Sequence, residues 1–363
     1  MKGPQFSTGS HSALPLEPRP SPWRRCPLAL AALTGLFWGC ASPSGSPPGA
    51  EHREITVGVG PTAIAAIKGW VLVGEIALDF GNLTYGEGSV AWLDPSSESV
   101  VRRSAVGTNP QVIVAAGRSR DKVAVICTGD YAAIPGQIDV LTAIDGTHEH
   151  RIELGGTPGS AAAGHSDTLY VGSYSHPGVA IVDVGSGAIL EPWSSAAGFH
   201  ADGLAVANNE VYAVDFGADL LLRLQPDGSV FDAIPVGDGP ISVYPDPTDP
   251  NRVFVLHSLE ETVGAVALDS REFARLGPPT GRAPNHLLAP APLEDETPHT
   301  LWVVSSLSNL LEARSPSNGA LVQSFFLGPN RNPMQVCILE KRAWVSNLLA
   351  NSVSVVDFGR PPS

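Results

Sequence analysis

Gly237-Asp-Gly-Pro240-Ile-Ser-Val-Tyr-Pro245 is one copy of a phrase that returns along the whole chain: a Gly, two residues, a Pro, then a hydrophobic strand. The other clear copies begin Gly58-Val-Gly-Pro61, Gly107-Thr-Asn-Pro110, Gly155-Gly-Thr-Pro158 and Gly281-Arg-Ala-Pro284. Two degenerate copies, Gly198-Phe-His-Ala201 and Asn330-Arg-Asn-Pro333, complete the set. The starts are separated by 49, 48, 43, 39, 44 and 49 residues, and a period in the forties marks an array of supersecondary units.

Each unit reads as four strands. A short strand follows the Pro (Gln111-Val-Ile-Val-Ala; Met334-Gln-Val-Cys-Ile-Leu). A second strand alternates strongly and places an aromatic at one point in five units, as in Leu169-Tyr-Val-Gly, Val211-Tyr-Ala-Val, Val253-Phe-Val-Leu, Leu301-Trp-Val-Val and Ala343-Trp-Val-Ser. A third strand closes on Asp in several units (Val179-Ala-Ile-Val-Asp; Val353-Ser-Val-Val-Asp), where a tight turn begins. A fourth, such as His150-Arg-Ile-Glu, leads to the next Gly. Four antiparallel strands repeated seven times specify an all-β, seven-bladed β-propeller. Gly, or Asn at 330, suits a positive φ in the inter-blade turn, and Pro is kept out of the central ladder. The last unit ends after its third strand, and one spare strand, Glu54-Ile-Thr-Val57, precedes the first turn. That strand is expected to complete the seventh blade at its outer edge and close the ring.

The 363 residues are 43% hydrophobic and 16% charged, enough for a large core, with 38 Gly and 33 Pro spread among frequent turns. The net charge of −14 and the absence of a Lys/Arg run exclude nucleic acid held through its phosphates. At the N-terminus Arg24 and Arg25 precede an apolar run ending at Trp38, followed by Gly39-Cys40-Ala41-Ser42 and the Pro/Ser/Gly stretch up to Ala50. The run is too short to span a bilayer and has the form of a signal-peptide core, with a flexible tether behind it. Cleavage before Cys40 would leave a mature chain of net charge −17. No C-x-x-C occurs, so Cys127 and Cys337, in strands of different units, are expected to be buried free thiols.

Two resemblances follow from these residues. Gly39-Cys40 resembles the lipobox of bacterial lipoproteins, which implies lipid attachment at Cys40 and a place in the bacterial cell envelope, periplasmic or surface-facing. Cleaved soluble export and an uncleaved anchor stay open, as does the choice between the general and twin-arginine routes. Ala343-Trp-Val-Ser-Asn-Leu-Leu-Ala-Asn-Ser-Val-Ser-Val-Val-Asp357 resembles the YVTN repeat, whose seven-bladed propellers occur as exported and surface proteins. The organisation expected is a signal peptide over 1–39, a lipidated Cys and tether over 40–53, the propeller over 54–358 and a tail over 359–363.

In this strand order the first strand lines the channel, and the Gly-x-x-Pro loops share one face with the loops between strands two and three. The polar residues expected at that mouth, and taken as candidate ligand-binding groups, are Gln111, His200, Asp202, Asp215, Asn285, His286 and Gln335, with Tyr85, Tyr131 and Tyr174 in neighbouring loops. No nucleophile elbow, zinc-protease helix, phosphate loop or dinucleotide fingerprint is present. The expected role is non-catalytic binding of a protein, glycan or small molecule by a monomer without cofactor. The alternatives are a metal-dependent lactonase-like or redox-type propeller enzyme, with Asp202, Asn285 and Glu75 as potential ligands of a divalent cation, and a structural envelope component.

Overall fold

A computed structural model describes residues 52–193, 198–207, 209–291 and 299–358. The signal, Cys40 and the tether lie outside the described residues. Seven four-stranded antiparallel sheets are present among them, each in simple meander order except the last. The inner strands are Pro61–Ile67, Pro110–Ala116, Pro158–Ala163, Gly203–Ala207, Pro240–Pro245, Pro284–Leu288 and Pro333–Leu339, and each packs against the inner strands of both neighbouring blades. They therefore form a closed ring around a channel.

The last sheet is completed as expected: His52–Thr56 pairs antiparallel with Ser352–Asp357, Glu54 opposite Ser354, at the outer edge of the seventh blade. The strand starts two residues earlier than the hydrophobic pattern alone marks. Glu54 fastens the junction, bonding the Ser352 hydroxyl and pairing with Arg331 at 2.9 Å. Closure leaves the seventh blade with no missing strand to template pairing with another chain.

The core is distributed. Seven hydrophobic clusters occupy the seven interfaces between consecutive blades, built from the second and third strands of each. Both faces of these strands are buried because a blade is sandwiched between two others, and the recurring aromatics Tyr170, Tyr212, Phe254, Trp302 and Trp344 all lie inside. Truncating one of the larger rings would cost about 3–5 kcal/mol. Cys127 and Cys337 are free and buried in different clusters, blade two against one and blade seven against one.

The turn residues divide their work differently from the sequence expectation. In five turns a positive φ falls on the residue before Pro, at Gly60 (67°), Asn109 (62°), Gly239 (65°), Ala283 (51°) and Asn332 (49°), while the third turn carries it at Gly155 and Gly156. Of the opening residues, Gly155 (75°), Gly198 (72°) and Asn330 (57°) are left-handed as expected, whereas Gly58, Gly107, Gly237 and Gly281 are not. These glycines open the phrase because their N–H must approach a buried acceptor. Gly58 donates to Glu75 at 2.7 Å, Gly107 to Asp139 at 2.7 Å, Gly237 to His257 Nε2 at 3.1 Å and Gly281 to Glu312 at 3.1 Å. A Cβ on Gly58 would stand 2.6 Å from the Glu75 carboxyl carbon, so close approach selects glycine there.

Candidate functional site

The two sets of loops do share a face. In six blades the N–H just beyond the second strand donates to the carbonyl of the residue before Pro, or its equivalent: Ile76 to Gly60, Thr128 to Asn109, Tyr174 to Thr157, Ser258 to Gly239, Ser306 to Ala283 and Leu348 to Asn332, all 2.8–3.1 Å. The fourth blade breaks the rule. Its turn, 198–202, has no Pro, and the equivalent donor, Phe216 N–H, bonds the Asp202 side chain at Oδ2, 2.8 Å away. An ionisable carboxylate has taken the place of a backbone carbonyl.

The candidate residues fall into two groups. Asn285, His286, Gln335 and Gln111 knit the inner edge of the ring, where first strands would otherwise present unpaired backbone groups to the channel. Gln335 accepts from Ile64 N–H at 3.3 Å and donates through Nε2 to the Gln111 carbonyl at 3.2 Å, spanning three blades. Gln111 donates to Asn109 Oδ1 at 2.6 Å. Asn285 donates to the Pro333 carbonyl at 3.3 Å, while its Oδ1 is buried without a partner. His286 Nδ1 accepts from Val336 N–H at 3.3 Å, which puts the ring proton on Nε2. Burial inside the channel pulls the His286 pKa down to about 4, so the ring is neutral.

His200, Asp202 and Asp215 form the second group, at the entry to the fourth blade. Asp215 is buried and fully engaged: Oδ2 accepts from His200 N–H at 3.0 Å and Oδ1 from Gly217 and Ala218 N–H at 2.9 Å. It builds the turn. His200 donates through Nδ1 to the Ser173 carbonyl at 3.3 Å, leaving Nε2 as an acceptor when the ring is neutral. Asp202 has its pKa raised to about 6, chiefly by burial and then by the Asp215 charge, against the opposing pull of the Phe216 bond and His200.

Three tyrosines continue this group around the mouth. Tyr174 packs on the inner strand at Gly159, where a Cβ would come within 2.1 Å of its Cε2, and its pKa is pushed up to about 12 by burial and the Asp202 charge. Tyr131 is raised further by burial and by Tyr174 and Tyr85, and its loop is tied to Asn109, whose Nδ2 donates to the Gly129 carbonyl at 3.1 Å. The Tyr85 and Tyr131 rings lie 6.2 Å apart at 57°. Gln335, Gln111, Asn109, Tyr131, Tyr174, Asp202 and His200 thus make one arc from the seventh blade to the fourth.

Other groups go elsewhere. His257, fully buried with its pKa pulled down to about 4 by burial, serves the fifth-blade turn through the Gly237 bond. Glu75 holds Gly58 N–H, the Ser89 hydroxyl and Arg103 at the base of a cleft of about 350 Å³ on the first blade. Among the described residues no three His, Cys, Asp or Glu side chains come together as a set that could hold a metal ion. Sequence reasoning missed Phe216, Gly159 and His176, whose ring stacks 5.9 Å from Trp193. A positional signal exists for Phe216, which follows the end of the second strand as Ile76, Tyr174 and Leu348 do.

No protein-family model matches the chain, and no curated protein sequence does. Many solved structures do. A streptogramin B lyase superposes with a TM-score of 0.67 at 12% identity over 85% of this chain and 97% of that one. The β-propeller domain of Cps50 (Swd1) from Myceliophteria thermophila gives 0.66 at 11%, over 84% and 99%. Hydrazine synthase from Kuenenia stuttgartiensis gives 0.65 at 14%, over 84% and 97%. At such identities the likeness is one of fold: this chain is a seven-bladed β-propeller.

Proposed function

We propose that this protein is a non-catalytic binding propeller, held at the outer side of a bacterial membrane by a lipid on Cys40, that takes its ligand at the channel mouth. The observation that carries this reading is the fourth-blade turn, where Asp202 replaces a backbone acceptor and stands beside Tyr174, from which the aromatic wall runs on through Tyr131 to Tyr85. A rigid ring that presents loops in fixed places binds with little ordering cost. The YVTN-like last unit and the Gly39-Cys40 junction support an exported, anchored protein.

A raised carboxyl beside an imidazole is also what a general acid–base pair needs, and one of the similar structures is a lyase. An enzyme is therefore the second reading. The test is a thermal-shift screen of small metabolites and oligosaccharides against the purified protein, repeated with Asp202→Asn and Tyr174→Ala. Compounds that raise the melting temperature of the parent but not of the variants, and are recovered unchanged, fit binding. Recovery of a converted product would establish the enzyme, and hits indifferent to both variants would place binding elsewhere. For the anchor, Cys40→Ser is expected to move the protein from the membrane to the soluble fraction.

A further inference from the structure

We propose that the arc of the mouth formed by Tyr85, Tyr131, Tyr174 and Asp202 is a site for an organic cation, an alkylammonium group seated against tyrosine faces and neutralised by the Asp202 carboxylate. This rests on the binding reading above and adds the chemical class of the ligand.

The aromatic wall is held in place from below. Tyr85 packs against the small rim cluster of Ile76, Leu78 and Leu348. Tyr131 adopts a left-handed backbone, φ 62°, unusual for a bulky side chain, and the turn is fixed by Asp130 Oδ1, which accepts from Ala132 and Ile134 N–H at 2.9 and 2.7 Å. Tyr174 occupies the bed left open by Gly159, its hydroxyl 3.4 Å from the Gly159 carbonyl. Each ring is partly exposed at the mouth, and the Tyr85 and Tyr131 rings stand side by side at 57° to one another.

Charge decides what that space takes. On this face the loops of the first five blades (58–60, 76–88, 107–109, 128–136, 155–157, 174–178, 198–202, 216–219, 237–239 and 258–261) contain no Lys or Arg but several carboxylates. The cationic loop residues are Arg282 in the sixth turn and Arg331 in the seventh, which adjoins the first blade, while Arg103, Arg151 and Arg275 reach the first, second and fifth turns from their fourth strands and are each paired there, with Glu75, Asp139 and Glu260. The groups that face Asp202 are Asp215, His200 and Tyr174, and among the described residues no Lys or Arg pairs with it. A desolvated carboxylate without a counter-ion is a standing cost that a bound cation removes, and tyrosine faces attract the same cation through their quadrupoles. An anion would meet repulsion. A neutral sugar can stack on the rings but brings no charge to offset the carboxylate.

Isothermal titration of the purified protein with choline chloride, its uncharged isostere 3,3-dimethyl-1-butanol, and cellobiose separates the outcomes. Choline is expected to bind at pH 7.5, at least about tenfold more tightly than the isostere. Its affinity should drop by a similar factor in Asp202→Asn, which keeps an acceptor for Phe216 N–H, and in Tyr174→Ala. It should also weaken between pH 7.5 and pH 5, as Asp202 is protonated. Equal binding of the isostere, undiminished choline binding by Asp202→Asn, or no choline binding would each overturn the cation assignment. Cellobiose binding that is lost in Tyr174→Ala would overturn it while leaving the mouth a binding site; ligands indifferent to both variants would remove the mouth itself.

Discussion

The entries to the fourth and fifth blades do the same topological job with opposite chemistry. At the fifth, Gly237-Asp-Gly-Pro240 is closed on a buried neutral ring, a backbone carbonyl and a charge-paired carboxylate: Gly237 N–H on His257, Ser258 N–H on the Gly239 carbonyl, and Asp238 N–H on Glu260, which Arg275 neutralises. At the fourth, the Pro is absent and the equivalent backbone bond is made by Asp202, a carboxylate that folding keeps partly out of water. The fifth turn is arranged for stability. The fourth gives some away, and departures of this kind concentrate where a protein acts on something else.

Four outcomes would break or sharpen that contrast. The largest is expected for His257→Ala, which leaves Gly237 N–H without its acceptor and opens a hole beside Phe273, whose ring lies 5.2 Å away. A loss on the order of 3 kcal/mol should appear in urea unfolding at pH 7; a loss below 1 kcal/mol would mean the turn does not depend on it. Next comes acid. His257 and His286 have folded pKa values near 4, below the ordinary 6.5, so between those values the unfolded chain binds more protons. Stability should therefore fall as pH drops from 6.5 to 4, by on the order of 3 kcal/mol per ring at the lower end. A flat urea midpoint over that window would show that these rings are not buried neutral.

Glycine substitutions separate the two kinds of turn more finely, with the first-blade turn standing for the close-approach kind. Gly58→Ala drives a Cβ against the Glu75 carboxylate and should cost about 2 kcal/mol, while Gly198→Ala meets nothing within 4 Å and carries only the strain of φ 72°, about 1 kcal/mol. Reversal of that order in thermal unfolding would remove the close-approach explanation for the opening Gly. The smallest effect has the opposite sign. Asp202 has a folded pKa raised above 3.8, so the native state binds more protons in that window and stability is lost as pH rises through it to about 6. Above pH 6 Asp202→Asn should stabilise by about 1–2 kcal/mol, discounted for partial exposure, and at pH 4 it should change little.

Most of the fold was legible because period and alternation are properties of the sequence itself. The seven turns, the buried aromatic of the second strand and the closing strand near Glu54 all follow from spacing and from which residues a ladder tolerates. The site was legible only in outline. Nothing local shows that Asp215 is consumed by three backbone donors while Asp202, thirteen residues earlier, has one oxygen bonded by none of the described residues; both are acids near strand ends. The roles of Gln335 and Gln111 depend on contacts between residues 224 apart, which no window of sequence contains. Gly58 and Gly237 were readable as turn residues, but the reason for them is an acceptor 17 or 20 positions away.

The account turns on Asp202 being a desolvated carboxylate without a counter-ion at the mouth of the channel. Carbon-detected NMR titration of the aspartate carboxyls in the ligand-free protein, with Asp202 assigned by its absence in Asp202→Asn, measures this directly. An apparent pKa near 6 is predicted. A value at or below the ordinary 3.8 would show a solvated or charge-paired group and contradict the reading of the fourth blade as the adapted one.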